Sequence, residues 1–520
     1  MKFFEKAEPC AHLGCMKNDN QTLQFCQSLL GFGVSRRRAM TNLVMGLSAH
    51  EGARCPVELS EGEFFHYHYS NISKILESLC DRLPADSSSK VLSATLTALL
   101  RPFFPPPRRL STGTPYYAFT SDTTKLVKPH SPCLKGRGYV QVANNVIAGN
   151  RPLSVGYPLA VTHLGAGEAG WCPPLSMVML EIGDDPTGVA VAQVKALMEA
   201  PELPFGTELC LERADSGFGK AVFLSPLYDL NNLVGIVRLR QSMRVWSPSD
   251  AAPGKGAPPV YGEKYYLSAA SGEKTYHRTD KKTGVKTAKT VCQRSIVDKK
   301  ADDMAQYEAT LGNGRQASIC LLRWNNLLLR SKKGHSMKKK PFDVVQVQVL
   351  DRGTQKPVFD RPLFLAISGK RKGEVTTQEA QRQYRERYDV EPYYRFAQRS
   401  LLLDKLQTPE HDHLQQWLRI VQISTWLLFV ARNETEINCQ KWQRYLPKNQ
   451  HAKKTPDAPL TIAQTRKGIK NLFRTFDKTP FLPLKCKKGK GRKKGQTQPQ
   501  RTKYPILRKQ PKIIVRPSRI

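Results

Sequence analysis

Three acids and a short run of cations and aromatics are the positions in this chain whose types and spacing could do chemistry. Tyr384, Arg387, Glu391 and Gln398 stand at i, i+3, i+7 and i+14, which places all four on one stripe if the segment is helical. Asp122 and Asp215 come earlier, each at the end of a predicted strand, over 116–122 and 208–215. Carboxylates at strand ends can converge on one sheet edge, and two or three of them make a pocket of hard oxygens suited to Mg2+ or Mn2+. Two such ions roughly 4 Å apart would activate a water or a 3′-hydroxyl and stabilise the leaving oxygen of an in-line displacement at phosphorus. Gly217 and Gly219 leave room for a backbone to approach Asp215 closely, and Lys125, three residues after Asp122, is placed to reach a phosphate. An aspartate after a strand is also a common turn or helix-capping residue, so it is the combination with Glu391 that points to a metal site.

The elements that must position these residues follow from changes in texture along the 520 residues, a length that calls for two or three folding units plus tails. Helical periodicity runs from 20 to about 100, and Arg36, Arg37 and Arg38 open its second helix. Both a helix-turn-helix that meets phosphate at that end and an all-helical packing domain are compatible with it. The prolines of 102–107 are a stiff linker and mark a boundary near 105. From 106 to 245 short apolar strands alternate with helices, the mark of an α/β layer. From Trp246 to 361, Gly- and Pro-rich stretches and period-2 runs such as 318–324 and 343–350 predict a β-rich insertion. The layer resumes at 362–445, with long helices over 378–405 and 414–430. Pro392 lacks a donor and disfavours helix at Glu391, so the first of these either kinks or consists of two pieces meeting there.

The formal net charge of +37, with only 44 acidic residues, calls for a polyanionic partner, nucleic acid first. The tail from Lys485 to Ile520 holds no acid and reads as a phosphate-binding arm within a basic 446–520 segment. No run is long and apolar enough to predict a membrane span, and Met1 to Lys6 does not suggest secretion. The twelve cysteines have no repeated short spacing and read as reduced thiols; Cys10, His12 and Cys15, their one local cluster, read as a loop. Asp184–Asp185, Asp302–Asp303 and the histidines at 66, 68, 411 and 413 read as turn, surface or core residues.

With Asp122, Asp215 and the Tyr384–Arg387–Glu391 spacing in hand, the chain resembles the DDE transposases of bacterial insertion sequences. The similar group carries a Tyr-(2)-Arg-(3)-Glu-(6)-Lys signature and a β-strand insertion domain; Gln398 stands where that group has Lys. The resemblance covers roughly 105–245 and 362–440. It implies an RNase H-like catalytic domain in two parts, with Asp122, Asp215 and Glu391 as catalytic, Mg2+- or Mn2+-holding acids. It implies cut-and-paste strand transfer on double-stranded DNA, both terminal inverted repeats and target, by a homodimer in the bacterial cytoplasm close to the nucleoid. Tyr384 and Arg387 become contacts to transposon-end phosphates, Gln398 a contact lacking the usual charge, and Lys405, one heptad on, a substitute for it. Trp246, at the entrance to the insertion, is either a buried tryptophan or one that stacks on a flipped base. A relic kept only for DNA binding and a structure-specific nuclease of the same fold are the alternatives.

Overall fold

A computed structural model describes residues 20–82, 94–142, 153–167, 169–250, 259–267, 270–279, 286–311, 314–331, 334–436, 459–479, 495–497 and 500–508. The Cys10–His12–Cys15 cluster and most of the basic tail lie outside the described residues. In chain order, the helices α1 (Gln21–Leu30), α2 (Arg37–Ala49), α3 (Ser70–Arg82) and α4 (Ala94–Leu100) come first. They are followed by β1 (Arg108–Arg109), β2 (Pro115–Val127), β3 (Gly138–Gln141), β4 (Leu153–Leu164), β5 (Pro174–Met179) and α5 (Pro186–Glu199). Next are β6 (Leu209–Ala214), α6 (Ala221–Tyr228), β7 (Leu233–Leu239), β8 (Arg244–Pro248), β9 (Tyr261–Tyr266), β10 (Gly272–Thr279) and β11 (Lys286–Ser295). The series ends with β12 (Asp303–Thr310), β13 (Gln316–Leu327), β14 (Phe342–Asp351), β15 (Leu363–Ser368), α7 (Thr377–Glu386), α8 (Val390–Arg399), α9 (His411–Ala431) and α10 (Ile462–Phe476).

The chain is of mixed α/β class and divides into two compact units that cut across the five segments expected from texture. The first gathers Met1–Pro105, Thr123–Val189 and Asp389–Ile520; the second gathers Pro106–Asp122 and Ala190–Tyr388.

In the first unit, α1, α2 and α3 pack around α9, and α10 rests on α2 and α9. α9 is buried from Leu414 to Ala431 despite carrying Gln415, Gln416, Arg419 and Gln422. Two of these glutamines replace a neighbouring strand. Gln415 accepts from Met179 N–H at 3.0 Å and donates to Met177 O at 2.9 Å, and Gln422 donates to Leu175 O at 2.9 Å. They thereby satisfy backbone groups of β5 that burial would otherwise leave unpaired. α2 is buried from Ala39 through Ala49 except for the half-buried Asn42, so it has little free face to lay in a groove, and only Arg36, Arg37 and Arg38 at its start are exposed. That geometry favours the packing reading of these helices over a helix-turn-helix. β4 pairs antiparallel with β3 and with β5 and neighbours the 123–127 part of β2. Gly156 is required there, since a Cβ would collide with the Leu126 carbonyl. Among the described residues, no helix is long and apolar enough to cross a membrane.

In the second unit, β2 pairs parallel with β6 from Tyr116 to Ser121, and β6 pairs parallel with β7. β15, β14, β13 and β12 extend this sheet antiparallel in that order. The period-2 runs at 318–324 and 343–350 therefore belong to the main sheet, where sequence texture had assigned them to the insertion. Their apolar alternation covers α7, whose Ala380 and Tyr384 join Leu211, Ile236, Val345 and Leu365 in one core. Among the described residues, β8 to β11 form the one separate sheet, of order β10-β11-β9-β8.

Candidate active site

In the second unit, the parallel register of β2 and β6 runs from Tyr116 opposite Leu209 to Ser121 opposite Ala214. The next residue on each chain is an aspartate, Asp122 and Asp215. Residues in register on parallel neighbours project to the same side. The two carboxylates thus follow Tyr116, Ala118, Leu209 and Leu211 onto the face that α7 covers. Asp215 lies just past the end of β6, as its spacing predicts. Asp122 does not end its strand, because Thr123, Thr124 and Lys125 continue the extended chain to Val127. It is instead the first residue of β2 beyond the rungs shared with β6. Asp215 accepts from Gly217 N–H at 2.7 Å, which closes the turn and orients the carboxylate. The room left by Gly219 is filled by the protein itself, for a Cβ there would strike the Arg238 carbonyl of β7.

The end of α7 and the turn after it carry the aromatic and cationic part of the signature, and Arg387 meets the first of these acids. Tyr384 is 1 % exposed, and burial pushes its phenol up to about 12, with Tyr388 adding to the effect while Arg387 and Arg238 oppose it. Tyr384 is therefore a neutral hydroxyl at any working pH. Arg387 begins a short 3-10 turn after α7, is buried, and sets Nη2 3.7 Å from Asp122 Oδ1. Its guanidinium lies over the Tyr388 ring at 5.2 Å, and its Nε has no hydrogen-bond partner among the described residues.

The expected helix over 378–405 is two helices joined by the 3-10 turn Arg387–Asp389, so the four-residue stripe does not exist as one face. Pro392 explains the second start: as the third residue of α8 it stands in a first turn, where no donor is needed. Glu391, in the first unit, is exposed in that first turn. The opposite face of α8 is fixed by His163, whose ring lies between Cys172 O at 2.8 Å and Tyr394 Oη at 3.0 Å and meets Tyr393 edge-on. Gln398 is half-buried in α8. Lys405 lies beyond the helix in a turn and pairs with Asp404 at 3.4 Å, which corrects its place on the stripe. Lys125 is half-buried in β2. Trp246 is half-buried in β8, meeting Tyr261 edge-on at 5.9 Å with Arg330 over its ring at 5.7 Å, so it is not the fully buried tryptophan of the plainer reading.

The remaining acids have local duties. Asp184 and Asp185 accept from Glu181 N–H and Thr187 N–H in the turn before α5, Asp302 accepts from Asn325 N–H, and Asp303 accepts from the Thr377 hydroxyl. His66 faces Asp477 at 3.6 Å and His411 faces Asp412 at 3.5 Å.

Sequence reasoning missed a buried ionic cluster beside the aspartates. Glu386 takes Arg108 through two hydrogen bonds, at 2.6 and 2.8 Å, and Arg213 at 2.9 Å. Arg213 is 1 % exposed and also donates to Thr120 Oγ1 at 3.0 Å and Phe119 O at 3.3 Å, two and three residues before Asp122. Burial alone would raise the Glu386 carboxyl, but the hydrogen bond from Arg108 and the charges of Arg213, Arg108 and Arg382 hold it below the usual range. The available signal was the adjacent Glu212 and Arg213 between Leu211 and Ala214 in a strand that is otherwise apolar, where a charge persists only if paired.

Asp122 and Asp215 suit a hard divalent cation: they are two hard-oxygen carboxylates, each one residue past the rungs that β2 and β6 share. Among the described residues, no three His, Cys, Asp or Glu side chains are grouped to hold a metal by themselves. No protein-family model matches this chain, and no curated protein matches it.

Proposed function

We propose that the chain is a DDE-type DNA transposase, an enzyme that cleaves the ends of a mobile DNA element and joins the 3′ ends to target DNA. The observation that carries this reading is the placement of Asp122 and Asp215 one rung past the shared ladder of two parallel strands, with Arg387 ion-paired to the first. In this reading the catalytic core is RNase H-like and the β8–β11 sheet belongs to its β-rich insertion. Asp122, Asp215 and, on sequence grounds, Glu391 hold Mg2+ or Mn2+. When bound, the metal supplies an activated water or 3′-hydroxyl and neutralises charge on the leaving oxygen.

The chain's own residues bind and orient. Gly217 N–H turns Asp215 so that one carboxylate oxygen is engaged and the other remains to coordinate. Arg387 ion-pairs with Asp122, and in this reading its unpartnered Nε–H donates to a phosphate oxygen. Tyr384, neutral through burial, adds a hydroxyl that neither repels a phosphodiester nor titrates near neutral pH. The excess of cations over the whole chain supports duplex DNA as substrate, and pairing of two ends calls for a homodimer.

The test uses a duplex that carries the DNA flanking the coding region, with Mg2+ present. Wild type should nick at the element boundary and yield strand-transfer products. Asp122→Ala, Asp215→Ala and Glu391→Ala should each lower cleavage at least about a hundredfold at saturating DNA. A variant that cuts at the wild-type rate removes that residue from the site. Cleavage without joined products identifies a nuclease, and binding with no cleavage a relic.

A further inference from the structure

On the solvent side of α7, the second unit has an open cavity of about 510 Å3 that the catalytic reading does not use. Its walls are the turn after β1, Tyr307 of β12 and the outer face of α7. Three guanidinium groups reach it, those of Arg109, Arg382 and Arg385, and all three residues are exposed.

The chemistry of the cavity is one-sided. Glu379 is its one acid, and it is 4 % exposed and already saturated. It accepts from Arg382 through Nε at 3.1 Å and Nη2 at 2.6 Å, and from Gln383 Nε2 at 2.7 Å. Two full positive charges therefore face the opening, beside a third whose other guanidinium edge is free of Glu379. These groups are also pre-positioned. Arg109 is tied to Gly113 O at 3.0 Å and Arg382 to Glu379, while Arg385 lines the same wall as Tyr307, whose hydroxyl donates to Gln381 at 2.6 Å. Side chains held in place lose less entropy when they take a ligand, and planar guanidinium forks match the oxygens of a phosphate. Thr376, which caps α7, is on the rim, so the positive end of the helix dipole points the same way.

We propose that this cavity is a second DNA-contact site, in which Arg109, Arg382 and Arg385 hold the phosphodiester backbone of a duplex. The proposal rests on the reading that the chain's substrate is DNA. α7 then has two faces of different use. Tyr384 turns inward to the core, with Arg387 in the turn just after the helix meeting Asp122, while Gln378, Arg382 and Arg385, at i, i+4 and i+7, turn outward to a stretch of backbone that is not being cut.

The experiment measures affinity for a fluorescein-labelled duplex of random sequence at several salt concentrations, without divalent metal. It compares wild type, Arg109→Gln/Arg385→Gln and the charge-matched control Arg315→Gln/Arg352→Gln. The control removes two exposed arginines of the same unit that pair with Asp351 and Glu308. Both double variants leave the Arg382–Glu379 pair intact, and thermal melting checks that each is folded. Losing two phosphate contacts flattens the plot of log affinity against log salt by about two, so a fourfold rise in salt should cost the cavity variant roughly tenfold less affinity than it costs wild type. The control should keep the wild-type slope. A cavity variant with the wild-type slope overturns the proposal and leaves the transposase reading standing. A folded wild type that shows no salt-dependent DNA binding overturns both.

Discussion

Two buried ionic clusters hold α7, one at each end, and they grip it differently. Before the helix, Asp343 takes Arg323 at 2.6 Å, Lys372, and the Asn326 N–H at 3.0 Å. From there Arg323 donates to Val375 O at 2.8 Å, so this cluster holds main chain and fixes where α7 begins. After the helix, the gripped group is a helix side chain, Glu386, and the gripping arginine Arg213 is bonded to β2 just short of Asp122. The first cluster is an anchor for α7. The second is a linkage, since it joins the residue preceding Arg387 to the strands that carry both aspartates. A buried ion pair contributes little net stability against an apolar replacement, yet removing one partner is costly because the other is left uncompensated. What distinguishes the two clusters is therefore what moves when each is broken.

Breaking the linkage should have the largest effect. Arg213→Met strips Glu386 of a fully buried partner and leaves Thr120 Oγ1 without its donor, at a cost of about 3 to 5 kcal/mol in denaturant unfolding. At a temperature where the variant is still folded, metal-dependent cleavage should fall at least tenfold. A variant with that stability loss but wild-type turnover would show that the cluster is an anchor like the first.

Breaking the anchor should be milder and should separate stability from turnover. Asp343→Asn keeps the shape and one acceptor but leaves Arg323 and Lys372 without a counter-charge, so we expect a loss of about 2 to 3 kcal/mol. Cleavage per folded molecule should stay within about twofold of wild type, because this cluster grips main chain ahead of α7, at the opposite end from Arg387. If turnover falls as far as in Arg213→Met, the contrast between the two ends of α7 is wrong.

Neither cluster was legible in the sequence, although much around them was. The apolar run before Asp215, the helical periods of the first hundred residues and the α9 stretch were readable because local pattern and burial agree there. Asp122 was misplaced at a strand end because Thr123, Thr124 and Lys125 look like a turn, and only a neighbour on the far part of β2 makes them a strand. The break at 387–389 was left open by Pro392, and Lys405 fell off the stripe because Ser400 ends α8 one turn too early to carry it. β13 and β14 alternate equally well in a separate domain or in the main sheet, since period 2 reports a half-buried face and says nothing of what covers it. Pairings such as Arg213 with Glu386 span 173 residues, and no local spacing encodes them.

Glu212 offers the finest test, because it is a buried acid on the same strand as Arg213 with a different solution. It is fully buried and accepts from Ser121 N–H at 3.0 Å. Burial pushes its carboxyl up to about 7, against the pull of Ser121 and Arg213, whereas the arginines of the linkage hold Glu386 below its ordinary value. The signs of the two pH effects are therefore opposite. A carboxyl raised on folding binds a proton that the unfolded chain has released, so Glu212 lowers stability progressively as pH rises from about 4.5 to about 7. A carboxyl lowered on folding stabilises above the unfolded value and loses that contribution as pH falls through the folded one, so Glu386 acts only in acid. Over pH 5 to 8, Glu386 stays ionised and Glu212 titrates. Wild type should lose about 2 kcal/mol across that range from this residue, and Glu212→Gln should remove that slope while keeping an acceptor for the Ser121 N–H. Unfolding free energies of the two proteins at pH 5, 6, 7 and 8 make the comparison. Parallel curves would mean that Glu212 is ionised throughout, as a paired acid is, and that the contrast between the paired and the unpaired carboxylate fails.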